Sequence, residues 1–458
     1  MADHSVTVEN TLQTLLTEKK YSTIRDILVT MNPADIAAVF AGVEPDKLPL
    51  LFRLLPKELA AESFVEMESE EQETLIKGIS DSELRQVMDE LYVDDAVDIV
   101  EEMPANVVQR ILAQSAPEMR KEINEILQYP ENSAGSVMTT EYVKLSPDMT
   151  VGDAILRIRR TGVDKETIYT CYVLENRKLI GTVSVKSLLL APNDLQTIDS
   201  VMESNLITVT THTDQEEVAR MMSKYNLLAI PVVDGDDRMV GIVTFDDAFD
   251  VMEDETTEDM EIMAGMTPSD KTYLRSSPFD LFRHRIPWLA LLMVSATFTG
   301  LIISSFEEKL AAMVCLTAFI PMLMDTGGNS GSQSSVTVIR AISLGELEFR
   351  DLGKVIWKEV RTAVMCGLVL SVLCVAKILL VDHLMLHTEG VNFTVALTVG
   401  LTLAVTVLCA KIVGCTLPML AKKLGFDPAV MASPFITTIV DALSLLVYFG
   451  IATALLKL

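Results

Sequence analysis

Apolar residues recur at three- and four-residue spacing from residue 1 to about 130, in LPLLFRLLPKELAAESFVEM, ESEEQETLIKGISDSELRQVMDEL and VDDAVDIVEEMPANVVQRILAQS. Pro or Ser/Asp start signals stand between them. The period predicts short amphipathic helices, and the likeness among the units predicts a small all-α solenoid over 1–130. Farther on the period changes. YTCYVLE with LIGTVSV, then LAIPVVD with MVGIVTF, are β-branched runs flanked by the helical text TVGDAILRIRRTG and DQEEVARMMSKYN. The order SVMTTEYVKLSPDMTVGDAI to GTVSVKSLLL repeats as SVMESNLITVTTHTDQEEVA to GIVTFDDAFD, so two α/β modules are expected at 131–198 and 199–247. A connecting helix over 248–275 leads to long apolar runs. From 276 to 458 we expect an α-helical membrane domain with five spans near 286–305, 310–339, 361–381, 392–419 and 429–455, each near or beyond the ~20 residues that cross a bilayer.

One polar stretch interrupts this apolar text. Residues 321–335, PMLMDTGGNSGSQSS, lie inside the second run, and irregular or polar backbone there must face protein or water, because unpaired amides in hydrocarbon are costly. Pro321, Gly327, Gly328 and Gly331 let backbones approach closely or break the helix, while Asn329, Ser332, Gln333 and Ser334 offer oxygens and amides. The stretch reads as a conduit wall, with a small-residue packing seam as the plainer alternative.

In the fifth run, Ser433, Thr437 and Asp441 recur every four residues and give an apolar helix one polar stripe. Asp441 is short and near mid-span, so it marks a pore face, or else a proton-relay or helix-joining carboxylate. Lys377 and Lys411 are expected to snorkel to helix ends.

Charge is divided unevenly: residues 1–270 hold 52 Asp and Glu against 22 Lys and Arg, and residues 271–458 hold 12 against 15. A first part near −30 repels nucleic acid and anionic membrane surfaces and suits cations. Asp94 and Asp98, with Asp95 between them, share a helix face by i, i+4 spacing and could hold a hydrated divalent cation. The helix DDAFDVMEDETTEDMEIMAG, 246–265, has nine acidic residues and no basic one. Asp247, Asp250, Asp254 and Glu258 lie on one face, with Glu255 and Asp259 on a neighbouring one. A solvated linker is the plain reading, whereas its place before the membrane favours Mg²⁺ held by a few carboxylates, since EF-hand spacing is missing. The first sixteen residues lack the basic start and apolar core of a secretory signal. The six cysteines form no CxxC or Cys/His cluster, and no Walker loop or nucleophile pair points to an enzyme. Basic residues concentrate before the first span, between the second and third, and between the fourth and fifth, which puts the acidic domains in the cytoplasm and the C-terminus outside.

The duplicated modules resemble a tandem CBS pair, a family that binds adenine nucleotides or ions. Its pattern falls on Thr244 and Asp247 in the second copy, and Ser187 stands where the first would have aspartate. With DTGGNSGSQSS and DPAVMASPFITTIVDALSLLVY added, nearly the whole chain is similar to the MgtE family of magnesium channels. That resemblance implies a homodimer in the plasma membrane with a pore on its axis between the second and fifth helices. It is lined by Asp441, Thr437, Ser433, Asn329, Ser332 and Gln333, with Ser433 and Ser332 replacing asparagines of some relatives. It also implies a plug helix at 248–265 and Mg²⁺-sensing carboxylates at Asp247, Asp250, Glu255, Glu258, Asp259, Asp95, Asp214, Glu216 and Asp427. ATP at the CBS modules is a further implied ligand. The physics adds that Mg²⁺, reluctant to shed water, would pass hydrated and, by neutralising the acidic domains, would close its own pore. Two rival readings are a cation/proton-coupled divalent-metal transporter built on the second helix and Asp441, and a nucleotide sensor regulating a membrane partner.

Overall fold

The computed structural model describes residues 11–269, 273 and 276–457, with the side chain of Ser433 left out. The chain divides into two compact units, residues 1–252 and 253–458.

In the first unit, short helices follow one another from Tyr21–Leu28 to Pro117–Ile126. Their apolar faces bury Leu28, Ile36, Phe40, Leu51, Phe64, Leu75 and Ile111. One of them, Val93–Glu102 (α1), carries the aspartates picked out by spacing. The duplication is real in three dimensions. β1 (Tyr142–Leu145) pairs parallel with β2 (Thr167–Glu175), which pairs antiparallel with β3 (Lys178–Ser184). β4 (Val209–Thr210), β5 (Ala229–Val233) and β6 (Met239–Thr244) repeat that order and sense, and a helix lies between the first two strands of each sheet. The modules trade backbone bonds: Thr139 bridges to Ile242 of the second sheet, and Glu203 to Thr182 of the first. The second module and the helical domain share one apolar core through Val218, Ile230 and Val243, while the first module packs its own around Val151, Cys171 and Val183.

The connecting helix, expected over 248–275, is Phe245–Met263 (α2) and ends earlier than expected, residues 270–272, 274 and 275 lying outside the described residues; the division between units falls within it. Beyond it come Pro278–Ser305 (α3), Ile320–Ser343 (α4), Leu352–Lys377 (α5), Phe393–Lys423 (α6) and Ser433–Leu456 (α7). The spans containing α3, α5, α6 and α7 are long and apolar enough to cross a membrane. α4 has 24 residues but trades apolarity for GGNSGSQSS. It also starts later than expected, because 307–319 form a short helix and a 3₁₀ turn.

Despite its glycines α4 is continuous, and the glycines serve approach rather than a break. Gly327, Gly328 and Gly331 are buried against α6 and α7. A methyl group on Gly414 of α6 would strike the carbonyl of Gly331, so these two backbones touch. The packing-seam reading therefore holds for one face of α4, and the conduit reading concerns the other. Lys411 does not snorkel. It is 5% exposed, and its Nζ lies 3.7 Å from Glu359 of α5. An ammonium held inside the bundle needs that carboxylate more than a distant interface. Lys377 sits near its helix end and donates to Asp382 at 2.8 Å.

Gly414→Ala should lower the thermal midpoint of detergent-solubilised protein, since overpacking costs about 1–3 kcal/mol of stability. Gly300→Ala, where an added methyl meets nothing within 4 Å, should leave it near wild type. Equal effects would contradict the seam.

Candidate functional site

Acidic side chains converge where α1 meets the CBS-like pair. Asp94, Glu141 and Glu166 offer carboxylate oxygens within 4.8 Å of one another. Glu141 accepts from the Val93 amide at 3.3 Å and from the Thr139 hydroxyl at 3.2 Å. One oxygen each of Asp94 and Glu166 is buried without a hydrogen-bond partner. Burial first, then Asp247, Asp95 and the two glutamates, hold Asp94 well above the ordinary carboxylate range. Burial first, then Asp95 and Asp247, push Glu166 to about 8. Asp95 rises to about 6 through burial and then Asp247. Asp98, exposed at the margin of the group, rises to about 7 through desolvation, then Asp247 and Asp95. Burial also raises Asp247 to about 6 against the hydrogen bond from Thr244, and Asp246 and Asp250 add to the rise. The donor set, all hard oxygens, fits Mg²⁺ or Ca²⁺.

Thus Asp94, Asp95, Asp98 and Asp247 are brought together, but the simple pair Asp94/Asp98 is not the unit. Asp94 turns inward to Glu141 and Glu166, two residues that spacing could not reveal because they come from another module. Of the remaining expected carboxylates, Asp250 and Glu258 are exposed and Glu255 is half-buried on α2. Asp214 is exposed and caps its own helix by accepting from the Glu216 amide at 2.9 Å.

Thr244 is buried and Asp247 half-buried. The Thr244 hydroxyl donates to the Asp247 carboxylate, which itself faces Asp95 and Asp98. Polyphosphate placed there would meet carboxylates. The roomy cleft of the pair, about 850 Å³, lies instead along Tyr169, Thr182, Ser184, Lys186, Ser187 and Leu228.

In the second unit, the end of α2 lies against the bundle. Ile262 and Met263 pack on Ile339, Ala429 and Ala432. The hydroxyl of Ser343 donates to Asp259 at 3.3 Å. Burial, then Asp427, raise the Asp259 carboxyl above its ordinary range, while Ser343 and Arg340 oppose the rise. Asp427 caps the turn Pro428–Met431 by accepting from the Ala429 amide.

Toward mid-bundle, α4 presents Asp325, Asn329 and Gln333 on an exposed face, with Ser332 half-buried beside them. Thr437 and Asp441 are half-buried on α7. Gly328 packs on Thr437, so the two polar faces adjoin. The side chain of Ser433 lies outside the described residues.

Comparison with known proteins assigns the domains. Residues 320–451 match a family described as a divalent cation transporter, MgtE. Residues 31–132 match the MgtE intracellular N domain, and 134–194 and 198–254 match CBS domains. The chain is 36% identical over 97% of its length to "Magnesium transporter MgtE" of Thermus thermophilus, covering 98% of that protein. It is 33% identical over 96% of its length to the Bacillus subtilis protein of the same name, covering 95% of it. A solved structure described as the cytosolic domain of the Mg²⁺ channel MgtE in complex with ATP is similar at TM-score 0.51 and 35% identity, over 53% of this chain and 99% of that one. The soluble part of a magnesium transporter is similar at TM-score 0.51 and 28% identity, over 55% and 99%.

The acid cluster predicts a pH signature. Groups whose folded pKa is raised weaken the fold once ionised, and that cost is relieved as pH falls from about 8 to about 6. In metal-free buffer the midpoint of the full chain's first unfolding step should rise over that interval, and added Mg²⁺ should stabilise more at the upper end. Asp94→Asn with Glu166→Gln should shrink the Mg²⁺ gain. Equal gains at both pH values, or in both proteins, would contradict a cation-filled cluster.

Proposed function

The chain belongs to the MgtE family, and from that premise we propose that it is a magnesium uptake channel of the plasma membrane, closed by cytosolic Mg²⁺. It is a membrane transporter and not an enzyme. The observation that carries the pore is the exposed polar face of α4, with Asp325, Asn329 and Gln333, beside Asp441 of α7. Such a face is untenable against lipid. A second copy of the chain, related by a two-fold axis, covers it and leaves a hydrated path between the two α4–α7 pairs. Asp441 from each copy then holds Mg²⁺ through its water shell, which the ion sheds reluctantly. Thr437, Ser332 and Gln333 complete the lining, together with Ser433. The distribution of basic residues puts the acidic domains in the cytoplasm and the C-terminus outside.

Gating follows from electrostatics. Without metal, Asp94, Asp95, Asp98, Glu141, Glu166 and Asp247 repel one another, and so do Asp259 and Asp427 at the bundle. Mg²⁺ between these groups favours the compact arrangement and holds α2 against the ends of α4 and α7. This is a population shift, and weak sites repeated over several carboxylates make it steep. Asp250, Glu255, Glu258, Asp214 and Glu216 supply further oxygens. ATP, which the related cytosolic domain binds, goes to the cleft at Lys186 and Ser187, where a base can meet Tyr169 and a phosphate the lysine.

In liposomes, Asp441→Ala should abolish Mg²⁺ uptake driven by membrane potential. Replacement of Asp247, Asp250 and Glu258 together by Ala should preserve uptake but remove its inhibition at ~10 mM internal Mg²⁺. Uptake surviving in the first variant would displace the pore, and unchanged inhibition in the second would displace the sensor.

A further inference from the structure

α4 and α7 are antiparallel, and their glycine contacts fix their register. Gly331 meets Ile436 and Val440, Gly328 meets Thr437, and Gly327 meets Val440 and Ser444. Each step back along α4 is a step forward along α7. Asp325, one turn before Gly328, therefore stands level with Asp441, one turn beyond Thr437. It shares the exposed face of Asn329 and Gln333, four and eight residues on. The Asn329 amide donates to the Asp325 carboxylate at 3.2 Å, a bond within one helix that ties no two helices together. A helix-joining role leaves that geometry unexplained. The charge that bears on Asp441 is that of Asp325, another acid.

We propose that Asp325 is a second charged lining residue of the conduit, so that a dimer closes a ring of four carboxylates, two Asp325 and two Asp441, around the permeating ion. This rests on the pore reading above and deepens it. A ring of two carboxylates attracts any cation. Doubling the fixed charge favours a divalent ion over a monovalent one, because the added Coulomb energy scales with the ion's charge. Asp441 holds the ion, and Asp325 sets how completely Mg²⁺ displaces Na⁺ or K⁺ from the same place.

The test is the Mg²⁺ concentration that blocks Na⁺ current through the reconstituted full-length protein, read in wild type, Asp325→Asn, Asp325→Glu and Asp441→Asn. Neutral Asp325→Asn removes two of the four ring charges and should require at least roughly tenfold more Mg²⁺ for block. Asp325→Glu should stay near wild type, and Asp441→Asn should lose Mg²⁺ flux. A packing role would alter stability or total current in Asp325→Asn and leave the blocking concentration unmoved. Should the asparagine variant fail to assemble, Asp325→Ser provides the neutral side chain. An unchanged blocking concentration with Mg²⁺ flux lost in Asp441→Asn overturns the role of Asp325 alone. Mg²⁺ flux retained in Asp441→Asn overturns the pore reading and this inference with it.

Discussion

Carboxylates crowded together and withdrawn from water do not stay ionised unless a proton or a metal ion stands between them. This chain gathers carboxylates at three places, and Asp427 at the second and Asp325 at the third are exposed. Asp94, Glu141 and Glu166 meet under α1, Asp259 and Asp427 face one another at the end of the bundle, and Asp325 and Asp441 stand level on α4 and α7. On the reading proposed above, the same ion is cargo at one level and counter-charge at the others, so that transport and its regulation share one chemistry.

The packing that makes this possible is backbone on backbone. Gly331 against Gly414 brings α4 onto α6, and Gly327 and Gly328 bring it onto α7. With the middle of one side of α4 given to small residues, the other side carries Asp325, Asn329 and Gln333. The buried pair Lys411–Glu359 joins α5 to α6, and Ser334 donates to the Lys411 carbonyl at 3.3 Å, fastening α4 to the same point. The polar face beside Asp441 is thus backed by contacts on the opposite side of α4.

Much of this was legible in the sequence because it is local. Period decided the helical domain, the duplication showed as repeated text and returned as two sheets of identical order, and the stripe at Thr437 and Asp441 followed from four-residue spacing. What was not legible depends on distant residues meeting. Glu141 and Glu166 look like ordinary surface glutamates until the first module is laid against α1. Lys411 reads as a snorkelling residue until Glu359 is found beside it. Thr244 and Asp247 carry a nucleotide pattern, yet the fold gives that aspartate acidic neighbours and leaves the open cleft at Ser187. In the polar stretch, composition could not tell which glycines pack and which polar groups remain exposed, because that depends on which helices cover the seam.

The most direct measurement is single-channel recording from wild-type protein in a planar bilayer, with Mg²⁺ as the sole permeant cation and its concentration on the side of the acidic domains stepped through the millimolar range. A Mg²⁺ current that follows the membrane potential, and whose open probability falls steeply as that concentration rises, is the result predicted here. A current indifferent to Mg²⁺ on that side, or a flux that follows a proton gradient and not the potential, would contradict it.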